Sequence, residues 1–171
     1  MADKFYFYSK SKACAPGKGV HEYVGDPSKY TRLSVDFRRD LSNFHECKFH
    51  YDGYTYNTIE HAFQARKIAL VDPEKAFIFT VESGHVLGCS DGSVAQRNRK
   101  LAVLDRESLK IWNKIKQQVM EDISKAKYVA CAKARGVLKA TGDAELWHIQ
   151  QRKKPIRFVH LEEIRKELCF N

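Results

Sequence analysis

Between Cys47 and Lys67 the sequence "CKFHYDGYTYNTIEHAFQARK" changes its period once, and that change limits what the chain can build. Aromatic residues lie on both sides of Asp52-Gly53, a dipeptide that tolerates positive φ at both positions, so the segment predicts a two-residue hairpin. Directly after it, Ile59, Phe63 and Leu70, with Ala62 and Ala69, recur at helical spacing. Asn57 serves as the predicted N-cap, and Glu60 then falls at the third helical position, close to a capping box. The fold must therefore hold strand and helix together.

Elsewhere helices dominate. "DKFYFYSKS" alternates aromatics and reads as a strand, and "KACAPGKGVHEYVGDPSKY" is a set of turns. Its "PGKG" lacks both the spacer and the following Ser or Thr of a phosphate loop, so the spacing argues against nucleoside-triphosphate binding. A short helix is expected from Pro73 to about Thr80, with Pro in the first turn, and "ESGHVLGCSDGS" reads as loop. A long helix follows from Arg106 to Lys125, with Leu109, Trp112, Ile115, Val119 and Ile123 at three- and four-residue steps. The next, from Tyr128 to Lys139, ends at Thr141-Gly142. "ELWHI" is a candidate strand, "QQRKKP" a basic turn and "LEEIRKEL" a last helix. These elements predict one α+β domain over residues 1–171, predominantly α-helical with a small β component.

The chain has 171 residues, 43% of them hydrophobic, enough to bury a core. Its formal net charge of +9 favours polyanionic partners, nucleic acid or phosphate-bearing ligands. Cys14, Cys47, Cys89, Cys131 and Cys169 are odd in number, far apart and free of any C-x-x-C pair, which argues against a zinc ribbon and for a reducing compartment. The first residues lack a signal-peptide core and no segment is apolar for long enough to span a bilayer. The expectation is an intracellular, cytoplasmic protein without a membrane partner, nuclear if the source is a eukaryote. His45, His50 and His61 fall on different elements, so no metal site and no cofactor is expected, and His61 reads as a packed residue.

Glu60, Gln64 and Lys67 are four and three residues apart and share one helix face. By itself such a row fits a solvated face, and Glu60 has a structural duty if it closes a capping box. Trp112 lies on the face of Leu109, Lys116 and Val119, where core packing is its local explanation. Asp143 follows the glycine that stops a helix, where the dipole is mildly unfavourable to an acid and an Asx turn would account for it.

Four segments in this order, "LSNF", "CKFHYDGYTYNTIEHAFQARK", "WNKIKQQVM" and "LKATGDAEL", resemble the NADAR, or YbiA-like, family over about Leu41 to Leu146. The N-terminal "FYFYSKSK" through "FRRDLSNF" resembles the longer branch of that family. The tail departs from the shorter bacterial members, whose Trp-Gly ending is absent. The resemblance implies hydrolysis of a ribosyl N-glycosidic bond. One branch acts on early riboflavin-pathway intermediates; another removes ADP-ribose from the exocyclic amino group of guanine, in some cases as antitoxin to a DarT-type ADP-ribosyltransferase.

Carried over by motif, the functional acids fall on Glu60 and Asp143, the tryptophan on Trp112 and a candidate nucleophile on Lys67. Asn43, Phe44, Gln64 and Gly142 join Trp112 as the substrate-contacting positions. The residue types suit the chemistry. Charge develops at the anomeric carbon and on the departing nitrogen, so two carboxylates in unlike environments divide the roles of acid and stabiliser. A lysine of depressed pKa attacks instead, through a Schiff base. The expected substrate is ADP-ribosylated guanine in nucleic acid or nucleotide. The alternatives are a riboflavin-intermediate N-glycosidase and a non-catalytic reader of ADP-ribose or nucleic acid.

Overall fold

The computed structural model describes residues 1–170. In chain order its strands and α-helices are β1 (Lys4–Phe7), α1 (Phe37–Asp40), β2 (Phe49–Tyr51), β3 (Tyr54–Tyr56), α2 (Ile59–Ile68), α3 (Pro73–Phe77), α4 (Gly92–Arg97), α5 (Arg106–Ala130), α6 (Ala132–Ala140), β4 (Glu145–His148), β5 (Ile156–Arg157) and α7 (Val159–Cys169). The α+β class and the predominance of helix over strand are as the sequence predicts. Contacts divide the chain into two compact units, one made of Met1–Ser42 with Ala132 onward, the other of Asn43–Cys131. No helix among the described residues is long and apolar enough to cross a membrane.

In the unit formed by the two ends of the chain, β1 runs parallel to β4, pairing Lys4 with Glu145 and Phe7 with His148, and β5 adds antiparallel to β4. Phe5, Phe7, Phe37, Leu138, Leu146 and Leu161 are fully buried there. The pairing joins segments about 140 residues apart, which hydrophobic period alone does not reveal. A buried ion pair organises the turns between β1 and α1. Glu22 accepts two bonds from the Arg38 guanidinium at 2.6 and 2.7 Å, and takes the backbone N–H groups of Gly17, Gly19 and Tyr6. Arg38 also donates to the carbonyls of Cys14 and Ala15. The "PGKG" amides thus cradle a carboxylate of the same chain. A Cβ on Gly19 would lie 2.6 Å from the Glu22 carboxyl carbon, so this position admits no side chain without displacing the pair.

In the contiguous unit, Asp52 and Gly53 take φ of 50° and 84°, the predicted hairpin between β2 and β3. The helix after it starts one residue later than expected. Thr58, with extended backbone, is the N-cap and accepts from the His61 N–H at 3.2 Å, because its hydroxyl, and not the Asn57 amide, reaches the first turn. Asn57 instead donates to the Ser90 carbonyl and the Glu46 carboxylate. Glu60 is therefore the second helical residue, not the third, and the capping-box expectation is overturned. α5 runs to Ala130, past the predicted Lys125, because Lys127 and Tyr128 continue its buried face. The next helix then begins at Ala132. α4, inside the stretch expected to be loop and the residues after it, is started by Asp91, whose carboxylate accepts from Ser93 and Val94. The cysteines also depart from the expectation of reduced thiols. Cys47 and Cys131 form a disulfide across 84 residues, a pairing that sequence spacing conceals.

The Glu22–Arg38 pair predicts the first mutational outcome. Arg38→Met leaves a carboxylate buried without its partner and is expected to cost about 3–5 kcal/mol, read as a lower urea midpoint. A change of a few tenths would show that the pair does not hold this unit together.

Candidate active site

The site is built on α2, one of the most enclosed helices of its unit. Ile59, Ala62, Ala65 and Ile68 face the core, yet Glu60, His61 and Gln64 are buried as well, so apolar and polar sides alike are covered. His61 is fully buried, its ring bonded to the Thr58 hydroxyl and the Leu87 carbonyl, which makes it the packed residue its position suggested. The segment "LSNF" reaches the same helix end. The Asn43 carbonyl accepts the Glu60 N–H at 3.1 Å, and Gly92 lets the Phe44 backbone pass, where a Cβ would lie 2.6 Å from the Phe44 Cα.

With the backbone satisfied by Thr58 and Asn43, the Glu60 carboxylate is available for other work. It is 8% exposed and accepts the Gln64 amide at 2.8 Å. Burial pushes its pKa above the ordinary glutamate value, opposed by the Gln64 bond and the positive charges of Lys67 and Arg99. Two helical turns on, Lys67 moves the other way. Burial lowers its pKa, Arg99 lowers it further, and Glu60 opposes both. Its Nζ donates to the Arg99 carbonyl at 3.1 Å. This environment thus favours the protonated form of Glu60 and the neutral form of Lys67 relative to the free side chains.

Two further polar atoms are exceptional. Gln64 Oε1 and Asn43 Oδ1 are buried with no hydrogen-bond partner. An interior amide oxygen left so costs free energy in a purely structural residue, and a ligand hydroxyl or amine would relieve it. Trp112 is 5% exposed, its ring centred 4.9 Å from that of Phe63 on α2, within the core of the unit.

Of the positions singled out by sequence, the contiguous unit thus gathers Glu60, Gln64 and Lys67 on one helix, with Asn43 and Phe44 at its start and Trp112 packed against Phe63. Gly142 and Asp143 belong to the other unit. Gly142, at φ 59°, follows α6 as the glycine stop, and exposed Asp143 acts electrostatically on Arg165 and Tyr30. No sequence spacing points to Arg99. The basic run "QRNRK" carried the signal, but only the folded chain sets it beside Lys67. Among the described residues no three His, Cys, Asp or Glu side chains gather as a metal-holding group.

A family model, the NADAR domain, matches residues 31–154. N-glycosidase YbiA of Shigella boydii serotype 4 (strain Sb227) is 35% identical over 107 residues, 63% of this chain; the match spans 60% of that protein's own length. The NMR structure of the E. coli protein YbiA superposes with a TM-score of 0.59 at 28% identity, covering 77% of this chain and 78% of the other.

The direction of the Glu60 shift sets a stability signature. A carboxyl whose folded pKa is raised favours the fold below its unfolded pKa and loses that contribution as pH rises through the folded value. Glu60→Gln, which keeps the acceptor for Gln64 and cannot ionise, is expected to melt above the unsubstituted protein at neutral pH. The gap should close as pH falls towards the ordinary glutamate pKa. Parallel melting curves across that range, with no narrowing, would refute the buried-acid assignment.

Proposed function

This chain belongs to the NADAR family, and from that premise we propose that it is an N-glycosidase that cleaves ribose from a nitrogen leaving group. The observation that carries the proposal is the placement of buried Glu60 and half-buried Lys67 on one helix face, their pKa values displaced in opposite senses. Groups whose surroundings push their proton affinities apart divide acid and nucleophile duties.

In the proposed reaction the neutral Lys67 amine attacks the anomeric carbon. The Nζ–carbon bond forms as the ribosyl C–N bond breaks, and the departing nitrogen takes its proton from Glu60. A proton passes from Nζ to the ring oxygen, opening the ribose to a protonated Schiff base beside the Glu60 carboxylate. Water then adds to that carbon, the amine is released, and Glu60 recovers its proton. Gln64 and Asn43, whose amide oxygens are buried without partners, suit ribose hydroxyls or a base edge. Phe44 and Trp112 supply apolar and aromatic wall. Asp143 and Gly142 are assigned by motif alone, Asp143 as a second acid.

The finer proposal is that the leaving group is the exocyclic amine of guanine and the sugar is that of ADP-ribose, with a DarT-type transferase as functional counterpart. The net charge of +9 supports a diphosphate or polymeric substrate.

Incubation with an oligonucleotide ADP-ribosylated on guanine is expected to release ADP-ribose. Both Glu60→Gln and Lys67→Ala should lower turnover by about 10²-fold or more, and borohydride should trap a covalent adduct in the unsubstituted protein but not in Lys67→Ala. Turnover undiminished in Lys67→Ala would remove the nucleophile, and Asp143→Asn tests the motif assignment separately. Release of ribose 5-phosphate from a riboflavin-pathway intermediate, with the oligonucleotide untouched, would replace the finer proposal by the alternative.

A further inference from the structure

We propose that a basic groove along α6, in the unit made of the chain's two ends, is a docking track for the phosphodiester backbone of single-stranded nucleic acid. It extends the hydrolase reading to how a polymeric substrate is held, and, apart from Gly142, which lines the groove as well, it rests on different residues.

The groove encloses about 750 Å³, within the range of roughly 300–1,000 Å³ typical of ligand sites. Its floor is one helical face, with Gly136, Val137 and Ala140 bringing little side-chain bulk, and a Cβ on Gly136 would meet nothing within 4 Å. Four cations line it: Lys29 and Arg32 from the segment before α1, Lys133 and Lys139 from α6. The one carboxylate among the lining residues, Asp40, is engaged by Lys133 at 3.8 Å. Lysine and arginine side chains that remain exposed around a shallow floor suit diffuse, sequence-tolerant contact with successive phosphates.

Phe170 lies on the groove wall, 57% exposed. A lone aromatic face among cations can stack an unpaired base, which is the mixture that single-strand sites use. An acidic membrane surface would demand an extended apolar face beside the charge, and this groove offers one ring.

The test uses the full chain, an unmodified fluorescent 20-mer oligonucleotide and anisotropy across a salt series. The probe carries no ADP-ribose, so failure of binding and failure of hydrolysis are read independently. The protein is expected to bind, with affinity falling steeply as salt rises. Arg32→Glu/Lys139→Glu should weaken binding at least tenfold at low salt and flatten the salt dependence by about one unit or more on a log–log plot. Lys133, which pairs with Asp40, is left in place.

The control is Lys110→Glu/Lys114→Glu, an equal change of net charge at exposed positions of α5 in the other unit. Its binding should be nearly unchanged, and circular dichroism verifies that both variants fold. Equal losses in the two variants would reduce the effect to net charge and overturn the proposal. So would absence of binding by the unsubstituted protein at low salt, or capture by phosphatidylserine vesicles without binding to the oligonucleotide.

Discussion

The first turn of α2 must satisfy its backbone N–H groups inside a packed unit, and the way it does so determines what its side chains can be. Thr58 takes the His61 N–H and the Asn43 carbonyl takes that of Glu60. Orphan amides at a buried helix start would otherwise need a carboxylate or water. Because hydroxyl and carbonyl do this work, Glu60 is not consumed as a cap. His61 braces the arrangement by bonding Thr58 on one side and the Leu87 carbonyl on the other. The acid is thus buried with one amide donor and no bidentate partner, a state that raises its proton affinity. The lysine two turns on is half-buried, and its pKa shifts the opposite way.

The other unit solves a comparable problem with full ionic satisfaction. Glu22 and Arg38 are buried together, and between them they engage two glycine amides, the Tyr6 amide and two carbonyls. The guanidinium makes four hydrogen bonds and both carboxylate oxygens accept, which is what lets an ion pair persist away from water. The contrast separates structure from candidate chemistry. Where charge is fully matched the residues serve the fold; where Glu60, Lys67, Gln64 and Asn43 are matched only in part, the site has capacity left for a substrate.

Local features were legible in the sequence. Asp52-Gly53 needs positive φ and gets it, Gly142 stops α6, and the helical spacing of Glu60, Gln64 and Lys67 put them on one face as read. What could not be read depends on contacts made across long stretches of chain. The choice of Thr58 over Asn57 as cap follows from what lies opposite each: Ser90 and Glu46 draw the Asn57 amide away. α4 hides in a turn-rich segment because its start depends on one aspartate and its glycine on the passage of Phe44. The Cys47–Cys131 bond, the β1–β4 pairing and the approach of Arg99 to Lys67 join residues 84, about 140 and 32 positions apart. No local pattern encodes them. Motif order carried the family further than any single spacing did.

The split of the chain into a contiguous unit and one assembled from both ends imposes an order on assembly. Residues 43–131 include every segment their own unit needs, so that unit can close through mostly nearer-neighbour contacts. β1 has no strand partner until β4 exists, and the closure of so long an intervening loop is entropically costly while the middle is uncollapsed. Prior folding of residues 43–131 shortens that loop to a preformed span. During ribosomal synthesis β1 therefore waits, with its buried-face phenylalanines Phe5 and Phe7 uncovered, until some 140 later residues have been added, and it is in that interval that the chain is most open to a chaperone.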